Sequence, residues 1–269
     1  MATMFRHDAW AAGDSYDVYM GRWSRPIAAR FLDWLTMPDG LAWLDLGCGT
    51  GALTGAIVRQ AAPAGVIALD PSQGFVEKAR KNVDDPRVDF RIGDAGSLTS
   101  LPSASRDVAV AGLVLNFIPD RLAALRELVR IVRPGGKVGF YVWDYPGGGM
   151  EFMRAFWTAA AALDPAARDL TEDRRFPFCT RDGLLDLAHE AGLVDPAVTA
   201  IESPSSFRDF DDFWHPFTLG AGPAPGYCAS LSPEARGRLR EKLSDSLMRQ
   251  GDGSILLGTR AWALKADVR

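Results

Sequence analysis

The chain is 269 residues long, 47% hydrophobic and 24% charged, with a formal net charge of −4. That length suits one large α/β domain, or a domain of about 150 residues with a substantial addition, and it can bury a core without disulfides or a structural metal. The composition excludes collagen-like, coiled-coil and wholly disordered chains. With 30 Lys+Arg against 34 Asp+Glu there is no bulk basic surface to advertise nucleic acid or an anionic membrane. The 8 Trp and 14 Phe exceed what core filling usually needs. Cys48, Cys179 and Cys228 lie far apart with no CxxC pair, so neither a disulfide framework nor a zinc or other metal site is expected. Reducing, cytoplasmic surroundings are the matching expectation. The segment MATMFRHDAW carries no apolar targeting core, and no stretch approaches the length of a membrane span.

In chain order, SRPIAARFLDWLTM predicts an amphipathic helix over residues 24–37, with Ser24 as N-cap, Pro26 in the first turn and Ile27, Phe31 and Leu35 on one face. AWLDLG then reads as a buried parallel strand, ALTGAIVRQAA as a helix, and GVIALD as a second strand ending on Asp70. PSQGFVEKARKN continues at helical spacing. VDFRIGDA, DVAVAGLVLNF and KVGFYVWD read as strands three to five, the last two separated by the helix RLAALRELVRIV, which Pro134-Gly135-Gly136 stops. Strands alternating with helices in this rhythm predict βαβ units and a parallel sheet. After Asp144 the rhythm loosens. A Gly-rich break leads into the apolar helix EFMRAFWTAAAAL. TRDGLLDLAHEAGL and VDPAVTAI restore helix and strand over 180–201. FRDFDDFWHPF, a Gly/Pro loop (GAGPAPG), a charged helix (SPEARGRLREKLSDSLMRQ) and a last strand (SILLGTRAWALKA) complete the chain.

The strongest motif is Leu44-Asp45-Leu46-Gly47-Cys48-Gly49-Thr50-Gly51, between the first strand and a helix. Glycines allow a sharp turn and close approach of a ligand to the backbone, and the helix start behind them offers unpaired N–H groups. An acid ending the next strand is expected about 20 residues on, to hold a ribose. Asp70 stands nineteen residues after Gly51. Two ligand classes fit. Gly47, Gly49 and Ala52 satisfy the dinucleotide pattern G-x-G-x-x-G/A, which would make the chain an NAD-dependent oxidoreductase. Asp45, inside the strand before the first glycine, favours the other class.

Here the sequence resembles the class I S-adenosylmethionine-dependent methyltransferases, in particular the small-molecule methyltransferase domain family of type 11 or type 25. Their first motif is acid-x-Gly-x-Gly-x-Gly, and LDLGCGTG is close to its commonest form. GVIALDPSQGFVEKAR, VDFRIGDAGSLTSLP, LVLNFIPD and LVRIVRPGGKVGFY extend the likeness over roughly 40–143. The resemblance implies a Rossmann-like α/β three-layer sandwich around a mostly parallel seven-stranded sheet with an antiparallel last strand. A helical cap would come from the insertions. Residues 1–269 would then form a single methyltransferase domain. Within it, 1–38 would close over the cofactor, 40–143 would bind it, 145–178 and 203–250 would build the cap, and 180–201 and 254–265 would complete the sheet.

Carried across residue by residue, the resemblance places Gly47, Gly49 and Gly51 against the methionine part of S-adenosylmethionine, with Asp45 orienting its amino group. Asp70 would accept from both ribose hydroxyls, a pairing that suits a carboxylate. Pro71 and Phe75 would flank the adenine, Asp94 would accept from its amino group, and the N–H of Ala95 would donate to a ring nitrogen. YDVYMGRWSRP resembles the helix that closes over the cofactor, so Arg22 would pair with the methionine carboxylate and Tyr16 would add a hydrogen bond.

The implied activity is in-line transfer of a methyl group to a small-molecule acceptor. Asn116, at the end of strand four, stands where the family often approaches the reacting groups, and the more frequent His is absent there. Asn116, which would also contact the cofactor, and His215, in FWHPF, are the candidate catalytic residues. His7 and His189 carry no implied role. Tyr19, Trp143 and Trp214 are candidate acceptor contacts, although Trp214 and Phe217 equally suit the cap's own core. LNFI stands where an Asn-Pro-Pro-Tyr-like motif would mark methylation of amide or base nitrogens. The expected partners are a small-molecule acceptor, with neither nucleic acid nor membrane, for a monomer or homodimer. The competing readings are the NAD-dependent oxidoreductase and a non-catalytic module that only holds S-adenosylmethionine.

Overall fold

The computed structural model describes residues 13–96, 98–220 and 222–269, with side chains from residue 17 onward. His7 lies outside the described residues, as does the side chain of Tyr16. The elements run α1 (Gly13–Leu35), β1 (Ala42–Leu46), α2 (Ala52–Gln60), β2 (Gly65–Asp70), α3 (Gln73–Asn82), β3 (Val88–Ile92), β4 (Arg106–Gly112), α4 (Arg121–Ile131), β5 (Val132–Trp143), α5 (Glu151–Leu163), α6 (Glu172–Arg175), α7 (Arg181–Glu190), β6 (Val194–Phe207), α8 (Phe210–Trp214), α9 (Pro223–Ser230), α10 (Pro233–Ser246) and β7 (Ile255–Asp267). The strands form one sheet in the order β3-β2-β1-β4-β5-β7-β6. The pairs β1–β2, β1–β4, β2–β3 and β4–β5 are parallel, and β5–β7 is antiparallel. This is the Rossmann-like α/β architecture expected from the sequence.

The chain divides into two compact units. The core unit comprises Ser24–Trp143, Phe178–Ile201 and Ala261–Arg269. The cap unit comprises the described residues up to Trp23, with Asp144–Pro177 and Glu202–Arg260.

In the core unit the central strands are buried on both faces, as their apolar runs require: Leu44, Ala68, Val108, Val110 and Val142 are among their enclosed residues. The C-terminal half of α1 packs on β5. The rings of Phe31 and Tyr141 lie 4.8 Å apart, and a Cβ placed on Gly139 would come within 2.9 Å of Phe31. In the cap unit the surplus aromatics stack on one another. Phe152 contacts Tyr19, Trp23, Phe207, Phe213 and Phe217, and Phe156 stacks on Phe217 at 4.4 Å.

Four elements depart from the sequence expectation. Helix α1 starts at Gly13 rather than Ser24 and continues through Pro26. Proline removes one helical hydrogen bond, but the fully buried Tyr19, Trp23, Ile27 and Phe31 outweigh that loss. Strand β4 stops at Gly112; Leu113 takes φ 59°, and Leu115-Asn116-Phe117 form a 3-10 turn. Pro134-Gly135-Gly136 end α4 but lie inside β5. The Gly/Pro loop becomes the start of α9, because Pro223 and Pro225 fall in a first turn that needs no backbone donors.

Replacing Phe31 by Ala removes a fully enclosed ring from the core unit. Urea unfolding is expected to show a loss of about 3–5 kcal/mol; a loss below 1 kcal/mol would mean that α1 packs elsewhere.

Candidate active site

The strand order reverses at β1, which has β2 on one side and β4 on the other. In open α/β sheets that switch point is where ligands bind, at the carboxyl ends of the strands. Residues Leu46 and Leu69 are register partners, so the turn after β1 sits beside the end of β2. The N–H groups of Gly47 and Cys48 both donate to the Leu69 carbonyl, at 2.8 and 2.9 Å. Gly47 has φ +72°, and a Cβ there would lie 2.4 Å from Val114 Cγ2, so no other residue fits. Gly49 has φ +53° and only open space where its Cβ would stand. Gly51 caps α2, and Asn82 Nδ2 donates to the Thr50 carbonyl at 2.9 Å, pinning the loop to α3.

The Asp70 carboxylate accepts from the Gly49 N–H at 3.0 Å and from the Ser72 N–H at 2.9 Å. Each oxygen therefore holds one backbone amide and keeps a further lone pair. Burial pushes the Asp70 pKa up, and the two amides oppose that rise. The fully buried Asp45 accepts from Thr54 Oγ1 at 2.6 Å through Oδ2, while its Oδ1 has no partner. Its pKa is pushed up to about 7 by burial, against the Thr54 hydrogen bond and with help from the Asp70 charge.

Gly47, Pro71, Asp94, Ala95, Val114 and Phe117 line a cavity of about 430 Å³. Asp94 is exposed and its Oδ1 accepts from the Gly96 N–H at 2.9 Å, shaping the turn that carries Ala95. Asn116 lies buried in the adjoining 3-10 turn with its Nδ2 unpartnered. Phe75 is buried on α3, whose N-terminus is capped by Ser72. Trp143 is buried at the end of β5, opposite Ala261 of β7. Sequence reasoning missed Thr54, Asn82 and Val114. The only available signal was their spacing from the glycine loop, since their contacts arise through the fold.

The other expected residues belong to the cap unit. Arg22 does not present a free guanidinium: Nη1 and Nη2 bond Asp212 at 3.1 and 2.7 Å, Nη1 also donates to the Ser206 carbonyl, and the group stacks over Phe207. Asp212, a partner 190 positions away, is what sequence spacing could not show; the expected pairing of Arg22 with a methionine carboxylate would have to share or replace that contact. Tyr19 is fully enclosed, and its phenol is pushed up by burial and by the Glu172 charge. Trp214 packs on Phe217 at 6.2 Å, within the aromatic core, and His215 is exposed.

Residues 44–140 match the family described as "Methyltransferase domain". Nocamycin O-methyltransferase of Saccharothrix syringae is 32% identical over 195 residues, covering 67% of this chain and 69% of that protein. The 2-phytyl-1,4-naphtoquinone methyltransferase of Thermosynechococcus vestitus is 33% identical over 117 residues, covering 43% and 52%. The chain spans about half the length of several of the curated relatives it matches. In fold it is similar to Haemonchus contortus phosphoethanolamine N-methyltransferase 2, solved with S-adenosyl-L-methionine, at a TM-score of 0.58 and 18% identity, covering 96% of this chain and 56% of that one. The chain belongs to the class I S-adenosylmethionine-dependent methyltransferases of the methyltransferase-domain family.

The residues present fit that family's cofactor. The open space over Gly49, the tethered Asp70 carboxylate and the unpartnered Asp45 Oδ1 offer room, acceptors for a diol and an acceptor for a cation.

Asp45 also predicts a pH dependence. A carboxyl raised from 3.8 to about 7 takes up a proton on folding, so its contribution to stability is full below about pH 4 and is lost as pH rises to about 7. The stability difference between wild type and Asp45→Asn is expected to shift by about 2 kcal/mol in favour of the variant between pH 5 and pH 8. Denaturant titrations of both proteins at the two pH values check this; a constant difference rejects it.

Proposed function

We propose that the chain transfers the sulfonium methyl of S-adenosylmethionine to a small-molecule acceptor. The observation that carries this reading is the Asp70 carboxylate, bound to amides of both switch-point loops and able to accept two more hydrogen bonds. A vicinal diol is the natural donor pair for it. Gly47, Gly49 and Gly51 let the methionine part approach the backbone, and Asp45 Oδ1 gives its ammonium a buried acceptor. Pro71, Phe75, Asp94 and the Ala95 N–H frame the adenine at the cavity, with Asn116 beside them.

The cofactor, when bound, supplies a methyl group already activated by positive sulfur. The chain's own contribution is therefore orientation and exclusion of water, which can supply several kcal/mol without a covalent intermediate. The Asn116 Nδ2, buried and unpartnered, is the polar donor nearest in sequence to the cavity wall formed by Val114 and Phe117. His215 remains the candidate base of the cap unit, for an acceptor that must lose a proton. Small-molecule acceptors are supported by the names of the Saccharothrix and Thermosynechococcus relatives. No described helix is long and apolar enough to cross a membrane.

Calorimetry with S-adenosylmethionine, S-adenosylhomocysteine and NAD separates the readings. Binding of the first two without NAD is the expected result; NAD binding alone would establish the oxidoreductase. Asp70→Ala is expected to weaken S-adenosylmethionine by more than tenfold, because it removes two charge-assisted acceptors. An unchanged affinity in the folded variant would place the ribose elsewhere. Cofactor binding that persists without methyl transfer to any of a panel of small acceptors would favour a non-catalytic module.

A further inference from the structure

A second cavity, of about 630 Å³, lies wholly within the cap unit, in the space beside α5 and α6. Its lining includes Tyr145, Met150, Met153, Trp157, Thr158 and Glu172. The two methionines and Trp157 are buried apolar surface, and a pocket of this size and character is typical of small-molecule sites. Glu172 is the buried acid in that wall. It is 4% exposed. Its Oε2 accepts the indole N–H of Trp157 at 2.6 Å, which fixes the carboxyl group, but Oε1 has no hydrogen-bond partner. Buried carboxyl oxygens are rarely left in that condition, because the loss of water is not repaid. Packing alone does not explain an acid here, since an apolar side chain would fill the same space without the loss.

In its ionised form Oε1 needs a partner that donates a hydrogen bond. Two kinds of donor compete, a cation and a neutral hydroxyl. Exposed Arg154 and Arg168 also line the cavity beside a single exposed acid, Asp173, and Arg154 is paired with Glu151 at 3.7 Å, so the rim carries no excess of negative charge to draw a cation. Burial pushes the Glu172 pKa up to about 7, against its own backbone N–H, the Trp157 indole and the Arg175 charge. A carboxyl that is partly protonated near neutrality has less to offer a cation, whereas a neutral hydroxyl suits both forms, donating to Oε1 when it is ionised and accepting from Oε1–H when it is not.

We propose that this cavity binds a small apolar molecule carrying a neutral hydroxyl, such as a phenol, whose O–H donates to Glu172 Oε1. Trp157 holds the carboxyl in place, and Met150 and Met153 cover the apolar body. The site is built entirely from cap-unit residues and does not depend on the cofactor reading.

Three probes of similar size test the proposal by ligand-detected NMR: 4-propylphenol, 4-propyltoluene and 3-phenylpropylamine. Wild type is expected to bind the phenol at least tenfold more tightly than the toluene analogue, and more tightly than the amine. Glu172→Met is expected to reduce that preference to under threefold. Should this variant fail to fold, Thr158→Trp, a change at an exposed position of the same wall, is expected to abolish binding of the phenol while leaving Glu172 in place. Equal affinity for phenol and toluene analogue, preference for the amine, or an undiminished phenol affinity in Thr158→Trp overturns the proposal. Titrating S-adenosylmethionine into the same samples keeps the two readings apart. Cofactor binding without phenol preference rejects only the cavity, and phenol preference without cofactor binding rejects only the methyltransferase reading.

Discussion

The Asp70 carboxylate is the constraint on which the ligand edge of the core unit depends. Two loops leave the sheet there, one after β1 and one after β2, and neither has regular structure to hold it. Asp70 joins them by accepting one amide from each, Gly49 and Ser72. The Leu69 carbonyl adds the reverse link by accepting from Gly47 and Cys48. A backbone with three glycines has more conformations to lose than any other stretch of that length. Four hydrogen bonds between adjacent chain ends restrict those conformations before any ligand arrives, and the entropy cost of binding falls accordingly. Burying a carboxylate beside a second one is the opposing cost. The raised pKa values of Asp70 and Asp45 report it, and backbone dipoles offset only part of it.

The strands and the glycine turn of that edge were legible in the sequence because their signals are local, whereas the contacts of Asn82 and Val114 with the turn are not. AWLDL and GVIALD are short apolar runs closed by glycine or by an acid, and both form strands over those very residues. EFMRAFWTAAAAL likewise becomes α5 over its whole length. Legibility failed where a local signal was overruled by packing. Pro26 reads as a first-turn residue, yet the enclosed rings on either side of it carry α1 through. The apolar run ending in LNF reads as strand, yet the positive φ of Leu113 ends β4 early and sets Asn116 in a tight turn. The α9 case is subtler. Its Gly/Pro composition signals a loop, but the same prolines are tolerated at a helix start, and the Gly222 carbonyl accepts from Gly226 to open the helix.

Arg22 shows the other limit. A guanidinium in a segment resembling a cofactor-closing helix suggests an anionic ligand, but the sequence contains 34 acids that compete for it. Which acid wins depends on where β6 and α8 run. In the cap unit Asp212 is held by Arg22 through two nitrogens and also accepts from the Arg208 N–H at 3.0 Å, while the guanidinium covers Phe207. A half-exposed ion pair alone contributes little. The fork geometry, the Ser206 carbonyl and the ring beneath make this one a clamp on the fold of the cap unit.

The aromatic surplus has a similar resolution. Phe152, Phe156, Phe207, Phe213 and Phe217 are all enclosed by one another, so these surplus rings are spent on making the cap unit fold. What lines the cavity of that unit is less conspicuous in sequence: among others two methionines, Trp157 and a buried acid that no motif marks. The family match covers 44–140 and leaves these residues outside it, and one fold serves many functions. Flexible thioether side chains adapt to the outline of a ligand, whereas a fixed carboxyl discriminates by the donor it demands. A unit built on that division can change the ligand of its own cavity through a few lining residues while its aromatic core stays as it is.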